Sequence, residues 1–175
     1  GDCLLFIDNF CVECWRQDYQ PPVFAVSEDK NKEAYKEYFD SIAEQSEARE
    51  YFAEYIHQVA KAFPSRHIII RPHPVADPRW WQSKFWSYRN VHIIFHHSIE
   101  PWIHACSALI SMGCTTAIQA VIAKRSIIEI KHRDPLSALH GFASALTDYI
   151  VDSPASLLKL IREIPPSYNP NDSQL

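Results

Sequence analysis

The stretch His67-Ile68-Ile69-Ile70-Arg71-Pro72-His73-Pro74 sets the reading of this chain. An unbroken apolar run of this length reads as a strand buried on both faces, as in a parallel sheet. It ends abruptly in an arginine, a histidine and two prolines. In an open α/β sheet, ligands bind in the crevice beyond the strand carboxyl ends. Proline fixes the backbone, so Pro72 and Pro74 present Arg71 and His73 from a stiff turn. Both side chains can donate to phosphate, Arg71 as a planar fork. The same tetrapeptide also fits a surface turn in which the histidine caps a loop.

Working outward, comparable runs at residues 3–7, 91–95, 108–111 and 126–130 read as further strands. Helical patterns lie between them. Phe52, Tyr55, Ile56, Val59 and Phe63 recur at helical spacing until Pro64-Ser65 stops the helix. The aromatic run 80–88 reads as a short helix on the sheet, with Trp80 and Trp81 as packing residues rather than sugar platforms. Ser98 is expected to cap a helix from Ile99, with Glu100 and Pro101 in its first turn. Residues 115–123 form the next helix, and Pro154 opens a last one over 155–163. Later strands recur at intervals of roughly 16 to 24 residues with helices between, the mark of βαβ units. Two segments carry no such pattern: an irregular stretch with Pro21-Pro22 and a charged region from Glu28 to Glu50. Pro165, Pro166 and Pro170 mark a tail, so the domain is read as residues 1–164 with a tail at 165–175.

At 175 residues the chain is one domain, with 47% hydrophobic and 22% charged residues, ordinary for a globular protein. Its net charge of −4 argues against general nucleic-acid affinity, which needs a basic face. Any anion binding is therefore local. No apolar run approaches the ~20 residues of a membrane-spanning helix, and no signal-peptide pattern opens the chain. The chain begins at Gly1 and enters a strand almost at once, so a fragment of something larger is expected. Five cysteines, an odd count without a regular framework, suggest a reducing compartment. Cys11 and Cys14 form a lone C-x-x-C that reads as free thiols, because zinc would want a second pair.

A second motif, Ser111-Met112-Gly113-Cys114-Thr115-Thr116, joins a buried strand to a helix and holds one of the three glycines. Gly113 permits a tight turn or close backbone approach. Cys114, Thr115 and Thr116 would then expose amides and hydroxyls where a phosphate can sit. Simple helix capping by Thr115 or Thr116 explains the same residues. In a parallel sheet, however, this loop and the 71–74 turn share the carboxyl edge. Two anion-friendly loops facing one crevice make a phosphate-bearing ligand the leading reading.

These blocks, together with Pro101-Trp102-Ile103-His104-Ala105, Phe6-Ile7-Asp8-Asn9-Phe10 and the run Ala117-Ile118-Gln119-Ala120, resemble bacterial surface-carbohydrate (capsule and lipopolysaccharide) biosynthesis proteins. The resemblance covers about residues 1 to 132 and rests on the order and spacing of the blocks. Such proteins are similar to GT-B glycosyltransferases, in which two Rossmann-like domains enclose a cleft and the C-terminal one binds the nucleotide-sugar donor. The resemblance implies a Rossmann-like three-layer α/β/α fold with a parallel sheet, one half of a GT-B fold. It also implies a CMP- or other nucleotide-activated sugar as ligand. His73 would contact nucleotide or phosphate, as in the related sialyltransferases and Kdo transferases, and Thr115 and Thr116 would hold phosphate. Arg71 as a phosphate partner follows from its chemistry alone. No metal or other cofactor is implied, so loops and dipoles would stabilise the departing phosphate.

Two departures stand out. The position of Gln119 is usually glutamate in the family, where a carboxylate could accept from ribose hydroxyls; glutamine accepts and donates but carries no charge. The acceptor-binding N-terminal half, which commonly carries the base, is missing, so the expected role is donor binding without turnover. Two rivals remain: a CDP-polyol phosphotransferase of teichoic-acid type, and a degenerate module that recognises a nucleotide without reacting. The expected location is cytoplasmic, with a peripheral place at the inner membrane left open. Among the histidines His92, His96, His97 and His104, strand alternation sets His96 and His97 on opposite faces, against a shared metal. His97 follows a strand end and could lie near the crevice. Lys131, His132 and Arg133 follow another and could reach a donor or be solvated.

Overall fold

The computed structural model describes residues 3–10, 28–74, 76–132 and 144–164. Cys11, Cys14, Pro21-Pro22, Arg133 and the proposed tail lie outside them. The elements run β1 (Cys3–Ile7), α1 (Glu28–Ala62), β2 (His67–Arg71), α2 (Arg79–Phe85), β3 (Val91–Ile93), α3 (Glu100–Ala105), β4 (Cys106–Ser111), α4 (Ala117–Ile122), β5 (Ser126–Ile130), β6 (Tyr149–Val151) and α5 (Pro154–Glu163). All six strands pair in parallel, in the order β3-β2-β1-β4-β5-β6. Parallel strands must be covered on both faces. Every residue of β1 and β4 is accordingly buried, as are the last four of β2 and of β5.

Side-chain alternation divides the core into two layers. Leu4, Phe6, Ile68, Ile70, Ala108, Ile110 and Ile128 pack against α1, α2 and α5 through Phe52, Ile56, Trp81, Phe85, Leu157 and Ile161. Leu5, Ile7, Ile69, Leu109 and Ile127 pack on the other face against Ile103 of α3 and Ala117 and Ala120 of α4. The chain steps from β1 to β3 in one direction and from β4 to β6 in the other. Right-handed crossovers then place the helices of the two halves on opposite faces. This is a three-layer, Rossmann-like α/β/α fold.

The structure lengthens and shortens several elements relative to the sequence reading. The charged region from Glu28 to Glu50 is part of α1: it lacks an apolar stripe, but also any Gly or Pro, and is rich in good helix formers. β3 stops at Ile93 rather than Phe95, because the carbonyls of Ile94, His96 and His97 turn towards the Arg71 guanidinium. β4 starts at Cys106, directly after α3. Ser98 is not the cap of α3: Ile99 holds that position without a side-chain bond, and the Ser98 side chain bonds the Glu100 carboxylate instead. α4 begins at Ala117, leaving Thr115 and Thr116 in the preceding turn. The short edge strand β6 has no counterpart in the sequence reading. α5 starts one residue early, at Pro154, behind a reciprocal Ser153–Ser156 capping box. Trp81 is core, 1% exposed, while Trp80 lies under the Arg49 guanidinium at 4.1 Å. Among the described residues no helix is long and apolar enough to cross a membrane.

Candidate functional site

Strand order reverses across β1 and β4, so the carboxyl ends of these strands form the topological switch point where such sheets bind ligands. Two residues leaving β1 bridge that crevice. Asp8 holds the β2 side: its N–H donates to the Arg71 carbonyl at 3.0 Å, and its carboxylate accepts from the His73 N–H. The same carboxylate accepts the Phe10 N–H at 2.7 Å and the Trp81 indole N–H of α2. Asn9 reaches the β4 side, its Nδ2 donating to the Gly113 carbonyl at 3.1 Å. Asp8 is 2% exposed, and burial pushes its carboxyl up from 3.8 to about 6. The Phe10 and Trp81 hydrogen bonds, the Arg49 charge and the His73 N–H oppose that rise.

Arg71 ends β2, largely buried. Its Nη1 donates to the carbonyls of Ile94 (2.9 Å) and His96 (2.7 Å), and its Nη2 to that of His97 (2.8 Å). A planar fork suits this task, since three carbonyls of one loop converge on it. His97 has a φ of 68°, a left-handed conformation that few non-glycine residues adopt, and the Arg71 bond secures it. Arg71 is thus the strut of the β3–α3 loop. Burial lowers the basicity of Arg71, while the nearby Glu100 raises it. His73, half-buried on the next turn, is held below its ordinary value by desolvation and so is neutral at pH 7.

On the β4 side, Gly113 has a φ of 80°, which only glycine adopts without strain. The chain turns there and shows Cys114, Thr115 and Thr116 to the crevice. Among the described residues no acceptor takes the backbone N–H groups of these three. The Cys114 thiol donates to Thr116 Oγ1 at 3.3 Å. The first residue of α3, Glu100, closes the rim. Its own N–H, the Ser98 hydroxyl and the Arg71 charge keep its carboxylate below the usual range.

These pieces enclose a cleft of about 530 Å³. It is lined by the β1 exit, the 71–74 turn, residues 97–100 and the 113–116 loop. Of the residues singled out in the sequence, Arg71, His73, Pro74, Gly113, Cys114, Thr115, Thr116 and His97 line it. Ser111 does not: it is 2% exposed, in register with Ile7 and Glu129. Gln119 is outside the lining but donates from Nε2 to Glu100 Oε1 at 3.3 Å. His132 packs on Tyr51, ring centroids 5.3 Å apart, and neither it nor Lys131 is among the lining residues. His92 pairs with His67 across the sheet at 3.0 Å, and the His104 carbonyl accepts from Arg125. The sequence reading placed Glu100 in a helix first turn and Asp8-Asn9 in a resembling block, but named none of the three as a site residue. The acidic residue directly after a buried central strand was the available signal for Asp8.

The donor set is mixed. Backbone amides, hydroxyls and a neutral imidazole face the cleft, while Arg71, the one arginine among its described lining residues, is engaged and two carboxylates flank it. Such a surface can hold a phosphate through fixed dipoles and can accept hydroxyl protons at its rim. No family model, curated protein or solved structure matches the chain.

Proposed function

We propose that this chain is the nucleotide-sugar-binding domain of a GT-B-type glycosyltransferase of surface-polysaccharide biosynthesis. The observation that carries the reading is the meeting of the 71–74 turn and the 113–116 loop in one cleft at the switch point. Its volume of about 530 Å³ suits a nucleotide-sized ligand. The amides of Cys114, Thr115 and Thr116 with the two threonine hydroxyls hold the phosphate, and neutral His73 donates to nucleotide or phosphate from the opposite wall. α4, with six residues, adds little dipole of its own, so the local amides dominate. The acceptor and the base belong to a second domain, and this chain binds donor without turning it over. The same reading puts the protein in the cytoplasm and leaves a peripheral place at the inner membrane open.

A recognition-only module is the second reading. It is favoured by the engagement of the Arg71 guanidinium on three carbonyls, which spends its charge on backbone, and by the uncharged Gln119, whose amide bonds Glu100. Calorimetric titration with CMP, CDP, UDP, UMP and GDP, with and without magnesium, tests the donor site. Selective, metal-independent binding that His73→Ala and Thr115→Ala both weaken about tenfold is expected, since a hydrogen bond to a charged group contributes about 1.5 kcal/mol or more. Binding of none of the five nucleotides refutes it.

A further inference from the structure

We propose that Asp8 is the positioning residue of this cleft, its ionised carboxylate being the shared acceptor that locks the His73 turn onto the switch-point strand. The proposal rests on reading the cleft as the ligand site. Its ground is geometric. Asp8 clasps the turn twice, through its own N–H to the Arg71 carbonyl at 3.0 Å and through its carboxylate from the His73 N–H. The carboxylate also takes the Phe10 N–H at 2.7 Å and the Trp81 indole N–H, so donors from the β1 exit, the β2 turn and α2 converge on one group. A carboxylate is acceptor-only when ionised and can satisfy all three; protonated, it presents an O–H to donors that need a lone pair. A structural aspartate needs no place at a cleft floor. This one lines the cleft and precedes Asn9, which grips the opposite loop.

The groups that face Asp8 fix how its proton is read. α1 brings Arg49, the β2 turn brings Arg71 and His73, and residues 97–100 bring His97 and Glu100 across the cleft. The 113–116 loop brings the Cys114 thiol and no charge. Burial outweighs Arg49 and the hydrogen bonds, placing the Asp8 titration near pH 6. The His73 turn is therefore locked at neutral pH and released in mild acid. Desolvation lowers the His73 imidazole as well, so the readout must separate the two.

The test is an ¹⁵N-resolved NMR titration of the unliganded chain from pH 8 to pH 4.5. It follows the Trp81 indole N–H and the His73 backbone N–H. The two signals are expected to shift with one shared midpoint near pH 6 in the wild type, and the Trp81 indole signal to be flat there in Asp8→Asn. Trp81→Phe removes one donor that lowers the Asp8 carboxyl, so the His73 midpoint should move to higher pH if both signals report that one group. Ligand binding gives the second readout with the tightest nucleotide of the calorimetric panel. Wild type should bind it about tenfold better than Asp8→Asn at pH 7.5 and equally at pH 5. The ligand's own phosphate titration and that of His73 cancel in this ratio. Separate midpoints for the two N–H signals, no titration of either, or wild-type affinity in Asp8→Asn at pH 7.5 overturns the proposal. If Asp8→Asn fails to fold, the wild type and Trp81→Phe still decide it. Failure of every nucleotide to bind overturns the donor reading alone, because the unliganded titration needs no ligand.

Discussion

Asp8 should make the protein gain stability as the solution is acidified from pH 7.5, against the usual behaviour of carboxylates. Its folded-state value lies above its unfolded one, about 6 against 3.8. A group raised on folding contributes stability that is fully present below the unfolded value and is lost as pH rises through the folded value. The window is therefore pH 3.8 to 6. At about 1.36 kcal/mol per pH unit, the full difference is on the order of 3 kcal/mol. About 2 kcal/mol of it falls between pH 7.5 and pH 4.5. The residue is 2% exposed, so solvent screening takes little from that figure. Urea unfolding followed by tryptophan fluorescence at pH 4.5, 5.5, 6.5 and 7.5 measures it, with Asp8→Asn as the reference that cancels all other titrating groups. Stability of the wild type relative to the variant should rise by about 2 kcal/mol from the highest pH to the lowest. A flat difference, or one that falls in acid, would refute the assignment of a desolvated carboxyl at this site.

Two further substitutions test the scaffold around it. Arg71→Lys replaces a three-way fork by a point charge, so residues 94–97 should lose amide-exchange protection and nucleotide affinity should drop about tenfold, with the core intact. Gly113→Ala forces a Cβ into a φ of 80° and should cost about 1–2 kcal/mol in urea unfolding and weaken nucleotide binding by calorimetry.

The fold was legible because most of its strands are dominated by apolar residues, and such runs mark strands buried on both faces. His67–Arg71 and Ser126–Ile130 have the bounds that the sequence indicates. β6 escaped because three residues between Asp148 and Asp152 carry too little pattern to distinguish strand from loop. α1 was seen only where Phe52, Tyr55, Ile56 and Val59 mark its buried face, since its first turns carry helix propensity without that stripe. In the site, the two loops were visible because Pro and Gly constrain the backbone from sequence alone. The task of Arg71 was not visible. Its partners are carbonyls of residues 94–97, and a main-chain acceptor has no sequence signature. Asp8 and Glu100 were hidden for a similar reason: their importance comes from which strand end and which loop face each other, and that is settled only by strand order.

On the proposed reading, a carboxylate sits beside the place where an anion would bind. Net cationic charge is the simplest way to attract phosphate, yet here the guanidinium of Arg71 is spent on backbone, Glu100 faces it, and Asp8 lies buried beneath. Ionised Asp8 carries a desolvation cost that its Phe10, Trp81 and His73 donors only partly offset. A neutral group would be cheaper for the fold, but it would turn a donor of its own towards the three that converge on it. The carboxylate thus exchanges stability for a fixed turn, and a fixed turn is what dipole-based anion binding requires. Amides hold phosphate well only when they are aimed before the ligand arrives, because a loose loop must be ordered at the expense of affinity. Asp8 and Asn9, adjacent on the central strand, aim the two walls of one cleft, and the core built around Phe6, Phe52 and Trp81 keeps that strand still.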